Sequence, residues 1–113
     1  MQKANATTTR AFSSETIRLA ELAKAMAHPA RIAILQYLAE QDACVCGAIV
    51  DALPLSQATV SQHLKVLKAA GLVQGNIDGP RVCYCIHPEN LAKAQADLST
   101  FFQACCKPGS CNC

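Results

Sequence analysis

Eight cysteines are the residues of this chain that could do chemistry, and they fall into four close pairs. The pairs are Cys44 with Cys46, Cys83 with Cys85, Cys105 with Cys106, and Cys111 with Cys113. In a small secreted protein such pairs would indicate a disulfide framework. The first ten residues, MQKANATTTR, contain no apolar stretch that would direct export, so we expect a cytoplasmic protein. In a reducing compartment, paired cysteines more often bind a metal or carry out redox chemistry.

The length and composition limit the remaining classes of protein. A chain of 113 residues with 51% hydrophobic and 16% charged side chains predicts one folded domain. No apolar stretch approaches the roughly 18 residues of a membrane helix, so we expect no membrane association. The sequence shows no combination of nucleophile, base and orienting group, and it lacks the Cys-X-X-Cys motif of thiol oxidoreductases. We therefore expect a protein that is not an enzyme.

Four segments with helical periodicity precede any strand signal. The first has an apolar face, and Pro29 begins the second in the position that proline favours. Ser56 is a good N-cap for the fourth, and Gly71 is a suitable residue to end it. The apolar positions are Leu19, Leu22, Ala23 and Met26 in the first segment, Cys46, Ile49, Val50 and Leu53 in the third, and Val60, Leu64 and Leu67 in the fourth.

Two short strands and a last helix follow. Residues 72–77 and 81–87 are rich in Val, Ile and Tyr, and Asp78-Gly79-Pro80 between them predicts a hairpin turn. The helix after Pro88 has an apolar face made of Leu91, Ala94, Leu98, Phe101, Phe102 and Cys105. This order predicts a mostly α fold with a β-hairpin wing, the winged helix-turn-helix, over residues 13–104. We expect residues 1–12 to form a flexible arm and residues 105–113 a cysteine-rich tail.

The fourth helix is the one that would enter the major groove of DNA. The side chains that point away from its apolar stripe, or lie in its first turn, suit base edges and phosphates. They are Gln57, Thr59, Ser61, Gln62 and Lys65, and Arg81 on the wing adds a further phosphate or minor-groove contact. The alternative is an ordinary amphipathic helix with a solvated face. The net charge of only +2 favours a dimer on two half-sites. His63, at the edge of the stripe, is expected to have a packing role.

Two segments carry a resemblance to a known family. AHPARIAIL at residues 27–35 and TVSQHLKVLKAAGLV at residues 59–73 are similar to the ArsR/SmtB family of metal-responsive repressors, and the resemblance covers residues 15–103. It implies a homodimer formed through the first and last helices. It also implies release from operator DNA when a thiophilic metal or metalloid binds.

The resemblance gives Cys44-Val45-Cys46 the place of the family's metal box at the start of the third helix. Residues two apart on a regular helix are about 200° apart, so joint binding would require an extended or unwound helix start. The arsenic-responsive box has a third cysteine where this chain has Ile49. Because As(III) takes three thiolates in that family, a third ligand is expected from Cys105, Cys106, Cys111 or Cys113. The alternatives are a core role for Cys46 and an incidental tail.

Cys83 and Cys85 are a possible second thiol site, which could chelate a soft metal or form a redox pair; the alternative is that they are partly buried structural cysteines. We expect Val82, Tyr84 and Ile86 to face the core and leave the two thiols beside Arg81 and His87, where positive charge favours the thiolate. The positions of the zinc ligands in zinc-sensing relatives hold Pro88, Asn90, Phe101 and Ala104, none of which can ligate.

The sequence therefore indicates As(III) or Sb(III) as inducer, with Cd, Pb or Cu(I) as other soft candidates. One alternative is a persulfide or redox sensor that pairs Cys44 with Cys105 or Cys106. Another alternative, from a different class, is a metal carrier.

Overall fold

A computed structural model describes residues 11–79 and 81–106 of the chain. The helices are α1 (Ser14–Met26), α2 (Pro29–Ala39), α3 (Ala48–Ala52), α4 (Gln57–Ala69) and α5 (Pro88–Cys105). Strands β1 (Val73–Asp78) and β2 (Arg81–Ile86) form an antiparallel hairpin between α4 and α5. The predicted winged helix-turn-helix is confirmed, with α3 and α4 as its two helices and the hairpin as its wing.

Histidine caps the two helices that begin with proline. The backbone N–H of Ala30 donates to Nδ1 of His28 at 3.0 Å, and that of Asn90 donates to Nδ1 of His87 at 3.2 Å. Proline fixes a helical φ at the first position, and the preceding ring supplies the acceptor that the helix start lacks. Two His-Pro pairs therefore define where α2 and α5 begin.

The end of α4 is closed by a Schellman motif. The N–H of Gly71 donates to the carbonyl of Lys68 at 2.9 Å, and the N–H of Leu72 donates to the carbonyl of Leu67 at 3.0 Å. Gly71 has φ +82°, the left-handed conformation that glycine adopts without a steric penalty. The Asn90 side chain then donates to the Gly71 carbonyl at 2.9 Å, which ties the start of α5 to this corner.

The core lies between α1, α2, α3, α4 and the base of the hairpin. Ile34, Leu67, Leu72 and Val60 are its largest fully buried side chains. The predicted stripe of α4 is confirmed, since its three apolar members are all buried. On α1 the prediction was partly wrong, because Ala25 is buried next to Leu22 while Ala23 is exposed. The other buried apolar residues of this core are Leu38, Ile49, Leu64 and Val73.

Helix α5 covers the core with only part of its apolar face. Leu91, Ala94 and Leu98 are half-buried against the core, whereas Phe101 and Phe102 are 45% and 60% exposed. An ion pair from Arg18 Nε to Asp97 Oδ2, at 3.4 Å, joins α1 to α5 at the surface. Among the helices that the structure describes, none is long and apolar enough to cross a membrane.

The segment before α3 is extended, so the predicted start of the third helix was wrong. Val45 and Tyr84 form an antiparallel bridge in which each N–H donates to the other's carbonyl, at 2.8 and 2.9 Å. Gly47, at φ +92°, then turns the chain into the five-residue helix α3. Cys46 therefore does not share a helical phase with Ile49, because it directly follows the isolated bridge at Val45 and lies before the start of α3 at Ala48.

The predicted core face of β2 was also partly wrong. Tyr84 and Ile86 pack against the core as expected, but Val82 is 43% exposed and Cys83 is only 4% exposed. Val82 pairs with Ile77, next to the Asp78–Arg81 pair at the end of the hairpin. Cys83 points to the opposite face of the strand from Tyr84, where its sulfur is bonded to that of Cys46.

Candidate functional site

The outer face of α4 is polar and accessible. Ser61, Gln62 and Lys65 are exposed on the side of the helix that points away from its buried stripe, and Gln57 is exposed in the first turn. Thr59 differs from the expectation, because it is half-buried and bound to the N-cap. Its N–H donates to Ser56 Oγ at 3.2 Å, and the Ser56 hydroxyl donates to Thr59 Oγ1 at 3.0 Å.

The wing presents one predicted contact residue. Arg81 is the first residue of β2, is exposed, and pairs with Asp78 across the end of the hairpin. Strand β1 packs against α4, so the wing leaves the body of the protein beside the exposed polar helix. The predicted contact residues therefore lie on two neighbouring elements.

Three basic side chains, Arg31, His28 and His63, lie together where α4 meets the end of α1 and the start of α2. Arg31 donates from Nε to the carbonyl of Ala25 at 2.6 Å and from Nη2 to that of Lys24 at 3.2 Å, at the end of α1. Its Nη1 lies 3.2 Å from His63 Nδ1, and the His63 ring lies 4.4 Å from the His28 ring. The expected packing role of His63 is confirmed. Desolvation, and then the charges of His28 and Arg31, lower the pKa of His63 below 6.5.

Four cysteines meet on one face of the sheet. The Val45–Tyr84 bridge places Cys44 opposite Cys85 and Cys46 opposite Cys83, with Cα–Cα separations of 4.4 and 4.2 Å. Alternate residues of a strand point to the same face, so both members of each Cys-X-Cys share one side. The sulfurs of each cross-strand pair are bonded as disulfides.

The two pairs have different surroundings. Cys44 and Cys85 line an open groove together with Gln74, whereas Cys83 of the other pair is buried. The amide of Asn76 donates to Cys44 Sγ at 3.1 Å and lies 3.9 Å from Cys85 Sγ. We refer to Cys44–Cys85 as the outer pair and to Cys46–Cys83 as the inner pair.

The C-terminal cysteines lie at the other end of α5. Cys105 is the last residue of that helix and Cys106 is its C-cap, and both are exposed. Pro88, the first residue of α5, lines the groove of the outer pair. At 1.5 Å per residue, Cys105 is about 25 Å along the helix from that point.

Within one chain the structure therefore does not bring Cys44 or Cys46 to Cys105 or Cys106. Cys44 pairs with Cys85, which differs from the alternative that paired it with a C-terminal cysteine. Cys111 and Cys113 lie outside the described residues. In residues 11–79 and 81–106 no group of three His, Cys, Asp or Glu side chains is arranged to hold a metal ion.

Two features of these sites were not predicted from the sequence. Asn76 was not singled out, and its sequence context gives no sign that it contacts sulfur. The cross-strand pairing did have a signal, since two Cys-X-Cys motifs in antiparallel register must place four thiols on one face. That signal was lost when residues 44–46 were assigned to a helix.

Comparison with known proteins agrees with this architecture. The family described as "Bacterial regulatory protein, arsR family" matches residues 28–74. The HTH-type transcriptional repressor SmtB of Mycobacterium tuberculosis is 48% identical over 77 residues, which are 68% of this chain and 56% of that protein. This chain thus aligns with little more than half of that relative. The regulator Rv2034 of the same species is 42% identical over 79 residues, 70% of this chain and 73% of that protein.

Solved structures share the fold. An ArsR-like regulator from Rhodococcus sp. RHA1 has a TM-score of 0.67 at 25% identity, covering 81% of this chain and 86% of that one. A possible transcriptional regulator for arsenical resistance has a TM-score of 0.63 at 32% identity, covering 73% and 84%. A homodimeric winged helix-turn-helix DNA-binding domain from Mycobacterium bovis has a TM-score of 0.62 at 28% identity, covering 91% of each chain.

Proposed function

The chain belongs to the ArsR family of bacterial regulatory proteins, and on that premise we propose that it is a transcriptional repressor that binds operator DNA as a homodimer. We further propose that As(III) or Sb(III), bound by cysteine thiolates, releases it. The observation that carries the proposal is the exposed polar face of α4, held rigidly by Val60, Leu64 and Leu67 on its buried side.

The side chains on that face suit the edges of base pairs. Gln57 and Gln62 can each form two hydrogen bonds to adenine, Ser61 can donate or accept, and Lys65 suits a phosphate. Arg81 on the wing adds a phosphate or minor-groove contact. A net charge of +2 gives each chain little electrostatic attraction to DNA, so two chains on two half-sites are needed for a stable complex.

The C-terminal cysteines are the proposed inducer site. Cys105 and Cys106 are adjacent and exposed, and Cys111 or Cys113 would complete a set of three thiolates. An all-sulfur site favours soft ions over hard ones. Cys44 and Cys46 enter the site only as additional thiolates after reduction of their disulfides. The similarity to a possible regulator for arsenical resistance supports the choice of arsenic.

The end of α5 is a position from which an inducer can affect DNA binding. Cys105 follows Phe101 and Phe102 on the same exposed apolar side, which is the proposed contact with the partner chain. An ion that rearranges this end changes how the two recognition helices are spaced. A coupling of about 1–3 kcal/mol between the two sites is sufficient to open an operator held near saturation.

The test is fluorescence anisotropy of the reduced protein on DNA from upstream of its own gene, titrated with arsenite and, in parallel, with Cd(II) and a persulfide donor. We expect tight binding and release by substoichiometric arsenite. The double variant Cys105→Ser/Cys106→Ser should bind DNA normally and resist arsenite, while Cys44→Ser/Cys46→Ser should still be released. Absence of DNA binding would refute the repressor, and release of the Cys105/Cys106 variant would refute the inducer site.

A further inference from the structure

We propose that Cys44, Cys46, Cys83 and Cys85 form a redox-modification site, separate from the C-terminal cysteines, whose oxidation locks the wing to the helix-turn-helix. The site takes a two-electron oxidant of the hydroperoxide class. The part of this proposal that concerns DNA rests on the proposed function, whereas the covalent chemistry does not.

The register of the sheet explains why these cysteines pair as they do. Val45 and Tyr84 exchange both backbone hydrogen bonds, so the residue pairs on either side of them are non-hydrogen-bonded. Non-hydrogen-bonded pairs have the closer Cα atoms, about 4.5 Å apart, and the closer side chains. The observed separations of 4.4 and 4.2 Å fit this geometry. The backbone alone therefore brings each thiol to its partner.

The two pairs join parts of the fold that act separately on DNA. Residues 44–46 lead directly into α3, the first helix of the helix-turn-helix, and Cys83 and Cys85 belong to the wing. The paired residues are 41 and 37 positions apart in the sequence. With the thiols reduced, Val45–Tyr84 is the backbone bridge that holds the segment to β2. Oxidation adds two covalent links at the same place.

The surroundings predict that the outer pair reacts first. A hydrogen bond from the Asn76 amide to Cys44 Sγ favours the thiolate, which is the reactive form. Cys44 and Cys85 also line an open groove, where a small oxidant has access. In the inner pair Cys83 is only 4% exposed while Cys46 is half-buried, so one of its two sulfurs is shielded from an oxidant.

The chemistry consumes one hydroperoxide for each pair. The Cys44 thiolate attacks a peroxide oxygen, the O–O bond breaks, and the products are the Cys44 sulfenic acid and hydroxide, or alkoxide from an organic peroxide. The Cys85 thiolate then attacks the sulfenic sulfur; the S–S bond forms, the S–O bond breaks, and hydroxide leaves and takes up a proton to become water. Two electrons pass from the two sulfurs to the peroxide. A dithiol reductant reverses the reaction.

The test uses full-length protein in which the C-terminal cysteines are replaced by serine, so that only these four remain. Three variants then keep one pair each. Cys46→Ser/Cys83→Ser keeps the outer pair, Cys44→Ser/Cys85→Ser keeps the inner pair, and Cys44→Ser/Cys83→Ser keeps the diagonal Cys46 and Cys85. Each is treated with hydrogen peroxide, quenched with N-ethylmaleimide and weighed by intact-mass spectrometry, which counts the thiols lost to intramolecular disulfides.

We expect the outer pair to close several-fold faster than the inner pair, and the diagonal pair to close at least tenfold more slowly than either. Asn76→Ala should slow the outer pair several-fold and leave the inner pair unchanged. The site would be overturned if the diagonal pair formed its disulfide as fast as the other two pairs, or if disulfides formed only between chains. So would uptake of one Cd(II) by the reduced four-cysteine protein together with resistance to peroxide, which would indicate a soft-metal site instead.

A second readout tests the lock. On operator DNA we expect the oxidised four-cysteine protein to have a Kd several-fold lower than the reduced protein, because the wing is pre-organised. The variant Cys44→Ser/Cys46→Ser should show no such difference. An unchanged Kd despite complete disulfide formation would overturn the lock, whereas failure of both forms to bind DNA would count against the proposed function.

Discussion

At the scale of single residues, His63 is a partly buried polar side chain of α4 that contacts Arg31 of α2. Its Nδ1 lies 3.2 Å from the Arg31 guanidinium, which can only donate, so Nδ1 is the acceptor, a role that only the neutral imidazole can take. Burial is the main cause of its lowered pKa, followed by the positive charges of His28 and Arg31. The Arg31 side chain thereby connects α2 to the end of α1 and to His63 of α4.

This pKa shift makes the stability of the fold sensitive to pH. The unfolded chain protonates His63 near pH 6.5, while the folded chain resists protonation until a lower pH. The unfolded state therefore binds more protons as the pH falls below 6.5, and the free energy of unfolding must decrease. The free energy of unfolding, measured with urea at about pH 7.5 and about pH 5.5, should decrease less for His63→Gln than for the wild-type chain. The glutamine amide oxygen can still accept from Arg31 but does not titrate. Equal decreases in the two proteins would contradict this assignment.

Leu67 is the residue at which the core is expected to be most sensitive. It is completely buried and lies next to Val66, which is 40% exposed on the same helix. Leu67→Ala should lower the free energy of unfolding by about 2–5 kcal/mol, because it removes buried methyl groups and leaves a cavity. Val66→Ala, the matched control, should change it by less than about 1 kcal/mol. Similar losses in urea unfolding would mean that the core is not centred on this side of α4.

At the scale of elements, the two functions of α4 can be separated by serine substitutions. Ser56 caps the helix by accepting from the N–H of Thr59, whereas Ser61 is an exposed residue in its second turn. Ser56→Ala should cost about 1 kcal/mol of stability. Ser61→Ala should leave stability unchanged within about 0.5 kcal/mol and weaken DNA binding. Thermal unfolding and anisotropy on the same samples distinguish the two, and a stability loss in Ser61→Ala would contradict the assignment of its side chain to solvent.

The sequence was sufficient to predict the elements whose boundaries are local. Ser56, Pro29 and Gly71 mark helix ends through their own backbone preferences, and all three predictions were confirmed. Residues 44–46 could not be assigned in the same way, because what makes them extended is Tyr84, far away in the sequence. A helical phase also fitted Cys46 and the apolar residues that follow it, and only the bridge to Tyr84 of β2 excludes a helix at this point.

Which face of the hairpin is buried could be predicted only at its base, where the strands pack against the helices. Alternation correctly placed Tyr84 and Ile86 towards the core, since both lie at the base of the wing. It failed for Val82, which lies closer to the tip and is 43% exposed, and for Cys83, which is buried on the other face. Alternation identifies the two sides of a strand, but the tertiary neighbours decide which side is buried.

At the scale of the whole molecule, α5 carries an apolar surface that residues 11–79 and 81–106 do not cover. No residue of α5 is fully buried in its described span, and Phe101 and Phe102 contact each other edge-on while exposed to solvent. Two exposed phenylalanines on one helix end are typical of an interface rather than of a free surface. Under the proposed function the partner is a second copy of the chain, because a symmetric pair places two recognition helices on two half-sites.

A charge on this surface should therefore separate the chains. Phe102→Glu is expected to convert the dimer to monomer in sedimentation equilibrium, since it would bury two unpaired carboxylates across the symmetric contact. Gln103→Glu, one residue further along α5, introduces the same charge about 200° around the helix from Phe101 and about 100° from Phe102, away from the middle of that surface, and should remain a dimer. The monomeric variant should keep its helical circular dichroism and lose most of its affinity for a two-half-site operator. A wild-type chain that sediments as a monomer, or a Phe102→Glu variant that stays dimeric, would show that this surface has another use.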